Sequence, residues 1–220
     1  SSGGAAKADR LLFAGLPYAD GTTLNAKDLI QQAELGYKMN VKNGGLFATA
    51  FYAATTEEGG FEATTQQIIE NDYQAFGLEL EGVYNIKKLS LRGGGTYTNA
   101  EITSGANAGN APRRQPALMY YFMPSFNYKS HSVGVNIIGQ TKSYAQDNND
   151  LVMPGYAYVN AFVNIGIAKG LSANLSVNNL ANALGFTESE EGSIVENQVN
   201  YIRARSITGR TISAAIRYTF

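Results

Sequence analysis

Few residues in this sequence are equipped for covalent or acid–base chemistry. His131 is the only histidine and there is no cysteine, which excludes disulfides and thiolate metal sites and makes any Ser-His-acid triad depend on one residue. Ser130 precedes His131 in a segment with the composition of a tight turn, and neighbours in an extended chain point to opposite faces. We therefore predict a solvated turn histidine, no catalytic residue, no cofactor and a protein that is not an enzyme.

Three polar segments have part of the composition of a ligand site. Residues 92–96 (Arg-Gly-Gly-Gly-Thr) lack the Gly-Lys-Ser/Thr ending of a phosphate loop, so their glycines favour strand curvature or close packing. Residues 147–150 (Asp-Asn-Asn-Asp) carry oxygen ligands suited to Ca²⁺ without the spacing of a calcium loop, which favours a turn. The glutamates of residues 188–191 are typical of a solvated charge cluster. We predict no metal site.

The composition indicates a β-sheet with one apolar face. Apolar residues make up 44% of the chain and charged residues only 16%, while Gly (24), Tyr (14) and Phe (10) are abundant. No apolar run reaches the roughly 18 residues that a transmembrane helix requires. The formal net charge is −1 and no basic stripe is present, so nucleic acid is not an expected partner.

Alternation of apolar and polar residues identifies the strands. In residues 171–178, Leu, Ala, Leu and Val alternate with Ser, Asn, Ser and Asn, the period of a strand with one wet face. Tight-turn compositions recur at residues 42–44, 85–87, 129–131 and 168–170. We predict nine antiparallel strands near residues 31–41, 45–56, 73–85, 88–100, 116–129, 131–144, 156–167, 171–182 and 209–220. Long loops are predicted near residues 57–72, 101–115, 145–155 and 183–208.

The hairpin around residue 86 has a register that the structure can test. A two-residue turn at residues 86–87 would place Glu81 opposite Arg92 on the polar face and Phe76 opposite Tyr97 on the apolar face. A slip by one residue would oppose the two faces.

Pro124 lies inside a predicted central strand, where proline removes a ladder hydrogen bond. We expect a β-bulge at this position, because an extra residue would let the strand continue past it.

The strand lengths favour a transmembrane barrel. Each predicted strand matches or exceeds the roughly 9 to 11 residues that a tilted strand needs to cross a bilayer, whereas strands commonly run about 5 to 6 residues in soluble proteins. Short turns alternate with long loops, as in outer-membrane barrels. Aromatic residues near the strand ends suit the girdles at two membrane interfaces, although high β-propensity alone would also explain them. Nine strands leave an open edge, so we expect a fragment of a longer barrel.

Four segments resemble, in order, the end of the barrel of TonB-dependent outer-membrane receptors, across residues 70–220. Residues 73–82 resemble the family's strand in which a Gly-Leu-Glu-Leu-Glu run precedes a short turn, and residues 89–98 resemble the strand that follows. Residues 154–182, with Pro-Gly-Tyr at the start and Asn-Asn-Leu near the end, resemble the penultimate hairpin. Residues 209–220 are similar to the closing strand, whose terminal residues Tyr218 and Phe220 would be the signal for the barrel assembly machinery.

The resemblance implies an all-β, up-and-down transmembrane barrel of about 22 strands, filled by an amino-terminal plug domain. Residues 1–30, rich in Gly and Ala, are expected to be a long-loop segment, and residues 31–220 the carboxy-terminal part of the barrel without the plug. Expected partners are outer-membrane lipid, the plug domain of the same full-length chain, the TonB complex through the missing amino-terminal region, the barrel assembly machinery and a small molecule of unknown identity.

Two groups of polar residues are candidates for binding. Residues that bind ligands are often carried by loops on a rigid scaffold. The better ligand candidates are therefore residues of the long loops: Arg113, Arg114, Tyr144, Asp147 and Asp150. Alternation along the strands predicts a second set that faces the lumen: Glu79, Glu81, Arg92, Asn174, Asn178 and Arg217. An arginine pair would suit an anionic ligand such as a ferric siderophore, whereas Tyr with Asp and Asn would suit a sugar.

Energised uptake of a scarce nutrient is the expected function, with a ferric siderophore ahead of a carbohydrate or cobalamin. A passive porin or autotransporter-like barrel and a soluble carbohydrate-binding β-sandwich are the alternatives. A plug-like sequence upstream of Ser1 would favour the receptor, a long passenger the autotransporter, and detergent-free monomers the sandwich.

Overall fold

An antiparallel sheet that follows the order of the chain dominates the fold. The computed structural model describes residues 2–6, 27–62, 67–189, 194–196 and 199–220. The strands within these residues are β1 (Ser2–Ala6), β2 (Lys27–Val41), β3 (Gly44–Glu62), β4 (Gln67–Ile86), β5 (Leu89–Ile102), β6 (Leu118–Tyr128), β7 (His131–Gln140), β8 (Ser143–Tyr144), β9 (Val152–Met153), β10 (Tyr156–Ala168), β11 (Leu171–Asn178), β12 (Phe186–Ser189), β13 (Ile194–Glu196), β14 (Val199–Tyr201), β15 (Ala204–Ser206) and β16 (Thr211–Tyr218). None of the described residues forms a helix long and apolar enough to cross a membrane.

The main sheet has an up-and-down topology. Within the described residues, ten strands form it in the order β1 to β7, β10, β11 and β16, each hydrogen-bonded to the next. The remaining described strands pair within the long loops, β8 with β9, β12 with β15 and β13 with β14. The all-β, antiparallel fold expected from the sequence is confirmed, with ten strands in the sheet where nine were predicted.

The two faces of the sheet differ because apolar and polar residues alternate along each strand. Cross-strand pairs match like with like: Leu80 lies opposite Ala48, and Glu79 lies opposite Thr49. Following these registers across the sheet defines an apolar face, which carries Leu35, Leu80, Phe122, Val133, Ile165, Leu175 and Ile216. The opposite side is the polar face, which carries Glu79, Glu81, Arg92, Asn136, Asn164, Asn174, Asn178 and Arg217.

The apolar face has no second sheet packed against it in the described part of the chain. Leu35 is 77% exposed and Ile216 is 78% exposed. Buried apolar side chains among the described residues include Ile102, Ala145 and Met153, and all three lie at the long-loop end of the sheet. A soluble sandwich hides such a face inside a core. An exposed apolar face of this size instead requires an apolar solvent or partner.

Aromatic residues on the apolar face form two bands. Tyr84 and Tyr128 lie near the short turns, while Phe76 and Tyr97 lie toward the long loops, and all four are at least 43% exposed. Tyr84 and Phe76 are separated by eight residues of β4, roughly 26 Å along an extended strand. This separation is comparable with the apolar band of about 25 Å between the aromatic girdles of outer-membrane barrels. Banding favours girdles over β-propensity alone as the reason for these residues.

The β4–β5 hairpin differs from the predicted register by two residues. Ile86 pairs with Leu89, so Lys87 and Lys88 form the turn, with Lys87 in the left-handed region at φ 54°. Keeping Ile86 in the strand leaves an apolar residue on the apolar face and puts both lysines in water. Glu81 therefore lies opposite Gly94 rather than Arg92. A shift of two preserves every side chain's face, which is why the polar and apolar assignments survive.

Several predicted boundaries are wrong where the alternation fades. Residues 57–72 were expected to be loop, but β3 continues to Glu62 and β4 begins at Gln67, with a register irregularity between Glu57 and Gly60. Residues 1–30 were expected to be a long-loop segment. Ser2–Ala6 instead pairs with residues 27–31 of β2, while residues 7–26 lie outside the described chain. Gly and Ala look alike on both faces, so β1 has no period-two signal.

The strand after the last short turn is shorter than predicted. β11 ends at Asn178, rather than at residue 182, because Asn179 adopts a left-handed backbone with φ 48° that leaves the sheet. β7 is also shorter than predicted: it ends at Gln140 rather than at residue 144, and residues 143–144 form β8 within the loop.

Pro124 interrupts the sheet without the expected bulge. Pairing between β6 and β7 stops after Phe122 and resumes at Ser125 opposite Gly134, in unchanged register. On its other side Pro124 pairs with Leu91 of β5. The strand thus accommodates proline by omitting two pairs on one side, and no extra residue is inserted.

Candidate functional site

An ion pair stands near the short-turn end of the polar face. Arg92 Nη2 lies 2.6 Å from Glu81 Oε1, and Arg92 Nε donates to the same oxygen at 3.2 Å. The two residues meet diagonally, since Arg92 lies opposite Val83 and its long side chain reaches across. Their side chains are 57% and 47% exposed, so this pair adds little to the stability of the sheet.

A concave site of about 620 Å³ lies against the polar face of β4 to β7. The ion pair forms part of its wall, which also includes Met119, Tyr121, Asn136 and Tyr156. The Oδ1 atom of Asn136 is buried and has no hydrogen-bond partner among the described residues. Buried acceptors are normally paired, so this carbonyl is a natural acceptor for a donor from outside the described segment.

A row of amides and hydroxyls crosses the polar face from β7 to β11. Asn174 Nδ2 donates to Asn164 Oδ1 at 2.6 Å, and Asn164 Nδ2 donates to Ser132 Oγ at 2.9 Å. Asn178 Nδ2 donates to Thr211 Oγ1 at 3.3 Å, and Arg217 lies opposite Ser172. All six residues predicted to face a lumen, from Glu79 to Arg217, share this face. The sequence prediction omitted Asn164 and Ser132, although they have the same parity in the alternation.

The second candidate site is the contact between two long loops, residues 103–117 and 141–155, which we term the loop clasp. Asp147 is its centre: Oδ1 accepts the backbone N–H of Arg113 at 2.8 Å, and Oδ2 lies 3.5 Å from Arg113 Nη1. The Asp147 side chain is only 3% exposed. In this conformation Asp147 therefore positions the loop that carries Arg113 and has little surface to offer a ligand.

Asn149 also joins the two loops, because its side-chain amide binds both backbone polar groups of one residue, as a paired strand would. Its Oδ1 accepts the N–H of Ala111 at 3.0 Å while its Nδ2 donates to the carbonyl of the same residue at 2.8 Å. Asn110 Nδ2 donates to the carbonyl of Asp147 at 2.9 Å. The sequence prediction placed Asn149 in a turn and gave Asn110 no role; it missed these contacts because the partners lie more than thirty residues apart and no local pattern pairs them.

Arg114 joins a third loop to the clasp. Its backbone N–H donates to the carbonyl of Tyr144 at 2.7 Å, and its guanidinium donates to the carbonyl of Ser189. Ser189 is buried and donates through Oγ to the carbonyl of Ala145 at 3.1 Å. The three long loops are thus fastened to each other by side chains. Glu188, beside this joint, pairs with Arg205 at 3.0 Å, and residues 190–191 lie outside the described chain.

Tyr144 and Asp150 remain at least partly accessible in the loop clasp. Asp150 is exposed, and its carboxylate accepts from Asn148 Nδ2 at 2.9 Å while its N–H donates to Asn148 Oδ1 at 3.2 Å. These bonds close a turn over residues 147–150, with Asn149 left-handed at φ 62°. Tyr144 is half-buried, and Lys142 Nζ lies 5.5 Å from its ring centre. Of the five predicted ligand residues, Asp150 is exposed, Asp147 is buried and the other three are half-buried.

Asn179 fastens the base of the last long loop. It is 2% exposed, and its Nδ2 donates to the carbonyls of Ala183 at 2.9 Å and Thr208 at 3.0 Å. Its Oδ1 accepts the N–H of Ala183 at 2.7 Å, and its own N–H donates to Asn160 Oδ1 at 2.9 Å. One amide therefore ties the two ends of a loop that leaves the sheet after residue 178 and returns at residue 211. The Asn-Asn-Leu motif was its only signal in the sequence.

A sheet with one apolar and one polar face, short turns at one end and clasped loops at the other, defines an outer-membrane barrel segment. A family model described as TonB dependent receptor-like, beta-barrel matches residues 20–180. The chain belongs to this family of outer-membrane receptors, whose members are transporters rather than enzymes.

Solved receptors share the fold. The ferric yersiniabactin uptake receptor FyuA from Yersinia pestis has a TM-score of 0.73 at 19% identity, over 88% of this chain and 30% of its own. The ferric citrate transporter FecA has 0.72 at 17%, over 94% and 33%, and the copper transporter OprC has 0.69 at 14%, over 91% and 33%. This chain thus spans about a third of the length of those receptors. Among curated proteins, none matches the sequence.

Proposed function

We propose that this chain is the carboxy-terminal barrel segment of a receptor for the energised uptake of a ferric siderophore. The loop clasp carries the proposal: three long loops are held together by buried side chains at one end of a sheet whose apolar face suits lipid. Fixing loops in advance lowers the entropic cost of ligand binding. In this proposal residues 31–220 are barrel, the plug domain lies elsewhere in the full-length chain, and a TonB complex supplies the energy.

The polar face would line the lumen. Glu79, Glu81, Arg92, Asn174, Asn178 and Arg217 would then hydrogen-bond to water, to each other or to the plug domain. The exposed ion pair and the Asn136 carbonyl support this role, since both retain capacity for partners from another segment. Tyr218 and Phe220, whose rings meet edge-on at 5.0 Å, are both exposed at the end of β16, which suits reading by the barrel assembly machinery.

A siderophore is favoured by two observations. Several structural relatives are named as receptors for ferric yersiniabactin, ferric preacinetobactin or ferric citrate. Arg113 and Arg114 bring cationic groups to the clasped loops, which suits anionic ligands. Part of that charge is offset by Asp147, and the half-buried Tyr144 would add a hydrogen bond beside the arginines.

Copper is a less suitable cargo for the polar-face site. Met119 and Met123 offer soft sulfur ligands there. Four residues apart on one strand, they are separated by roughly 13 Å, which is too far for both sulfurs to bind one ion.

The test is ligand binding by the purified full-length receptor. Ferric siderophores, cobalamin, oligosaccharides and copper salts would be titrated separately, and we expect saturable binding of a ferric siderophore alone. Tyr144→Ala should weaken that binding by roughly tenfold, about 1.4 kcal/mol. Tyr128→Ala, at the opposite end of the sheet, should leave it unchanged. Binding of an oligosaccharide or cobalamin instead of every siderophore offered would overturn the proposed cargo.

A further inference from the structure

The short turns of this barrel segment are uniformly basic. Each of the four two-residue turns of the main sheet contains at least one lysine: Lys42, Lys87, Lys88, Lys129 and Lys169. No Asp or Glu occurs in these turns or within three residues on either side of them. The chain as a whole carries 17 basic and 18 acidic residues, so this end of the sheet departs from the overall balance.

The five lysines are available for an external anion. All are exposed. In the part of the chain that the structure describes, none of their ammonium groups forms an ion pair with a carboxylate. The nearest acidic side chain along these hairpins, Glu81, is engaged by Arg92 on the polar face. The positive charge of the short turns is therefore not neutralised within the segment.

Two of these lysines converge on the lipid-facing side. Lys88 Nζ lies 3.8 Å from the ring centre of Tyr128, and Lys129 Nζ lies 5.4 Å from the same centre. Tyr128 belongs to the apolar face and is 43% exposed. A cation over a tyrosine ring is held by the ring's quadrupole. The ring thus draws ammonium groups from two neighbouring turns to the outer perimeter of the barrel, away from the lumen.

Neighbouring aromatic residues indicate how deep Lys88, Lys129 and Tyr128 lie relative to the membrane. Tyr84, Phe126 and Tyr218 lie on the apolar face in the same band as Tyr128. Such a band lies at the membrane–water interface. Short turns of outer-membrane barrels face the periplasm, so the two ammonium groups lie at the level of lipid headgroups in the periplasmic leaflet.

We propose that Lys88, Lys129 and Tyr128 form a binding site for the headgroup of an anionic phospholipid. The two ammonium groups would bind the headgroup phosphate, and the apolar surface of Leu89 and Phe126, which pair directly above them, would receive the first part of an acyl chain. Lys42, Lys87 and Lys169 would add a long-range attraction along the same rim. The proposal does not depend on which ligand the receptor transports. An acidic periplasmic protein fits less well, because it would contact the turns from below and would not use a lipid-facing ring.

The opposite end of the sheet contains a matched control. Lys142 Nζ lies 5.5 Å from the ring centre of Tyr144, so one lysine–tyrosine contact is also present among the long loops. Asp147 and Asp150 follow it within the same loop, and the surrounding charge is mixed. Removing this lysine tests whether any lysine on a tyrosine ring selects anionic lipid.

The test is native mass spectrometry of the full-length receptor, delipidated in detergent and then offered equal amounts of phosphatidylglycerol and phosphatidylethanolamine with identical acyl chains. We expect wild type to retain phosphatidylglycerol preferentially. Lys88→Gln/Lys129→Gln should reduce that preference by roughly fivefold for each lysine. Lys88→Arg/Lys129→Arg should keep it, and Lys142→Gln should not change it. Heat-modifiable gel migration checks that each variant is folded, and single Lys129→Gln serves if the double variant does not assemble.

Three results would overturn the proposal. The first is a wild-type receptor that shows no preference for phosphatidylglycerol, which would leave an acidic protein as the partner of the five turn lysines. An equal loss in Lys142→Gln would make the effect one of total charge. A folded Lys88→Gln/Lys129→Gln variant that keeps the preference would exclude these two lysines as the site.

Discussion

The two ends of this sheet are built by different kinds of interaction. At the short-turn end, adjacent hairpins meet through backbone bonds, such as Asn85 N–H to Asn43 O at 2.8 Å and Asn127 N–H to Lys88 O at 2.7 Å. At the long-loop end, buried polar side chains bind backbone groups far away in the sequence, as Asp147 does with Arg113. The first end depends on local turn chemistry, whereas the second depends on several residues acting together.

This difference predicts where substitutions will be severe. Loss of a buried side chain that satisfies several backbone groups leaves those groups unpaired, at about 1 to 3 kcal/mol each. Loss of a surface contact near a short turn leaves nothing buried. Large multidomain proteins commonly unfold irreversibly, so we expect these effects as shifts in the midpoint of heat-modifiable gel migration of the full-length receptor.

The largest effect is expected from Asn179→Ala. It removes the partner of Ala183 N–H and of the carbonyls of Ala183 and Thr208, which should cost about 3 kcal/mol or more. Limited proteolysis should then cut the last long loop faster than in wild type. Asn178→Ala is the control, because Asn178 is exposed and makes a single long bond of 3.3 Å. Equal effects of the two substitutions would contradict the anchoring role of Asn179.

Asp147→Ala should be next in size. It leaves the Arg113 N–H and part of the guanidinium charge without a partner at a largely buried position, for an expected loss of about 2 kcal/mol. A double-mutant cycle with Arg113→Ala should give a coupling of about 1 kcal/mol or more. Simple additivity would mean that the loop clasp is not a cooperative unit.

Lys87→Val probes the short-turn end and should be smaller. Lys87 holds a left-handed backbone at φ 54°, where a β-branched side chain is strained by about 1 kcal/mol or somewhat more. Lys87→Gly is the reciprocal control, because glycine adopts this conformation without strain and should be neutral or slightly stabilising. If Lys87→Val exceeded Asp147→Ala, the two ends would not differ as described.

The smallest effect on stability is expected from Glu81→Gln. Its partner Arg92 is more than half exposed, and exposed ion pairs contribute little. The migration midpoint should therefore not shift measurably. A substantial loss of stability in the full-length receptor would instead show that Glu81 has a buried partner from another part of that chain.

Period-two alternation was sufficient to predict the faces of the sheet, and turn composition placed the short turns to within about a residue. It could not choose between registers that differ by two residues, because Glu81 and Arg92 stay on one face in either case. It also could not detect Ser2–Ala6, where Gly and Ala carry no facial contrast. The loop clasp lay beyond prediction for a different reason: Asn149 and Ser189 find partners in distant loops, and nothing near them in sequence encodes those contacts.

Pro124 has a mechanical consequence for the wall of the barrel. The carbonyl of Leu118 accepts the backbone N–H of Thr141, which follows β7. From Leu118 onward, the backbone groups of every second residue of β6 therefore point toward β7, and Pro124 is one of these residues. The proline nitrogen offers no hydrogen to the carbonyl of Val135, and hydrocarbon offers no substitute. The seam between β6 and β7 is consequently weaker at this level than the neighbouring seam with β5. If the barrel wall opens under heat or applied force, we expect β6 and β7 to separate first at this level, where the Val135 carbonyl has no backbone donor.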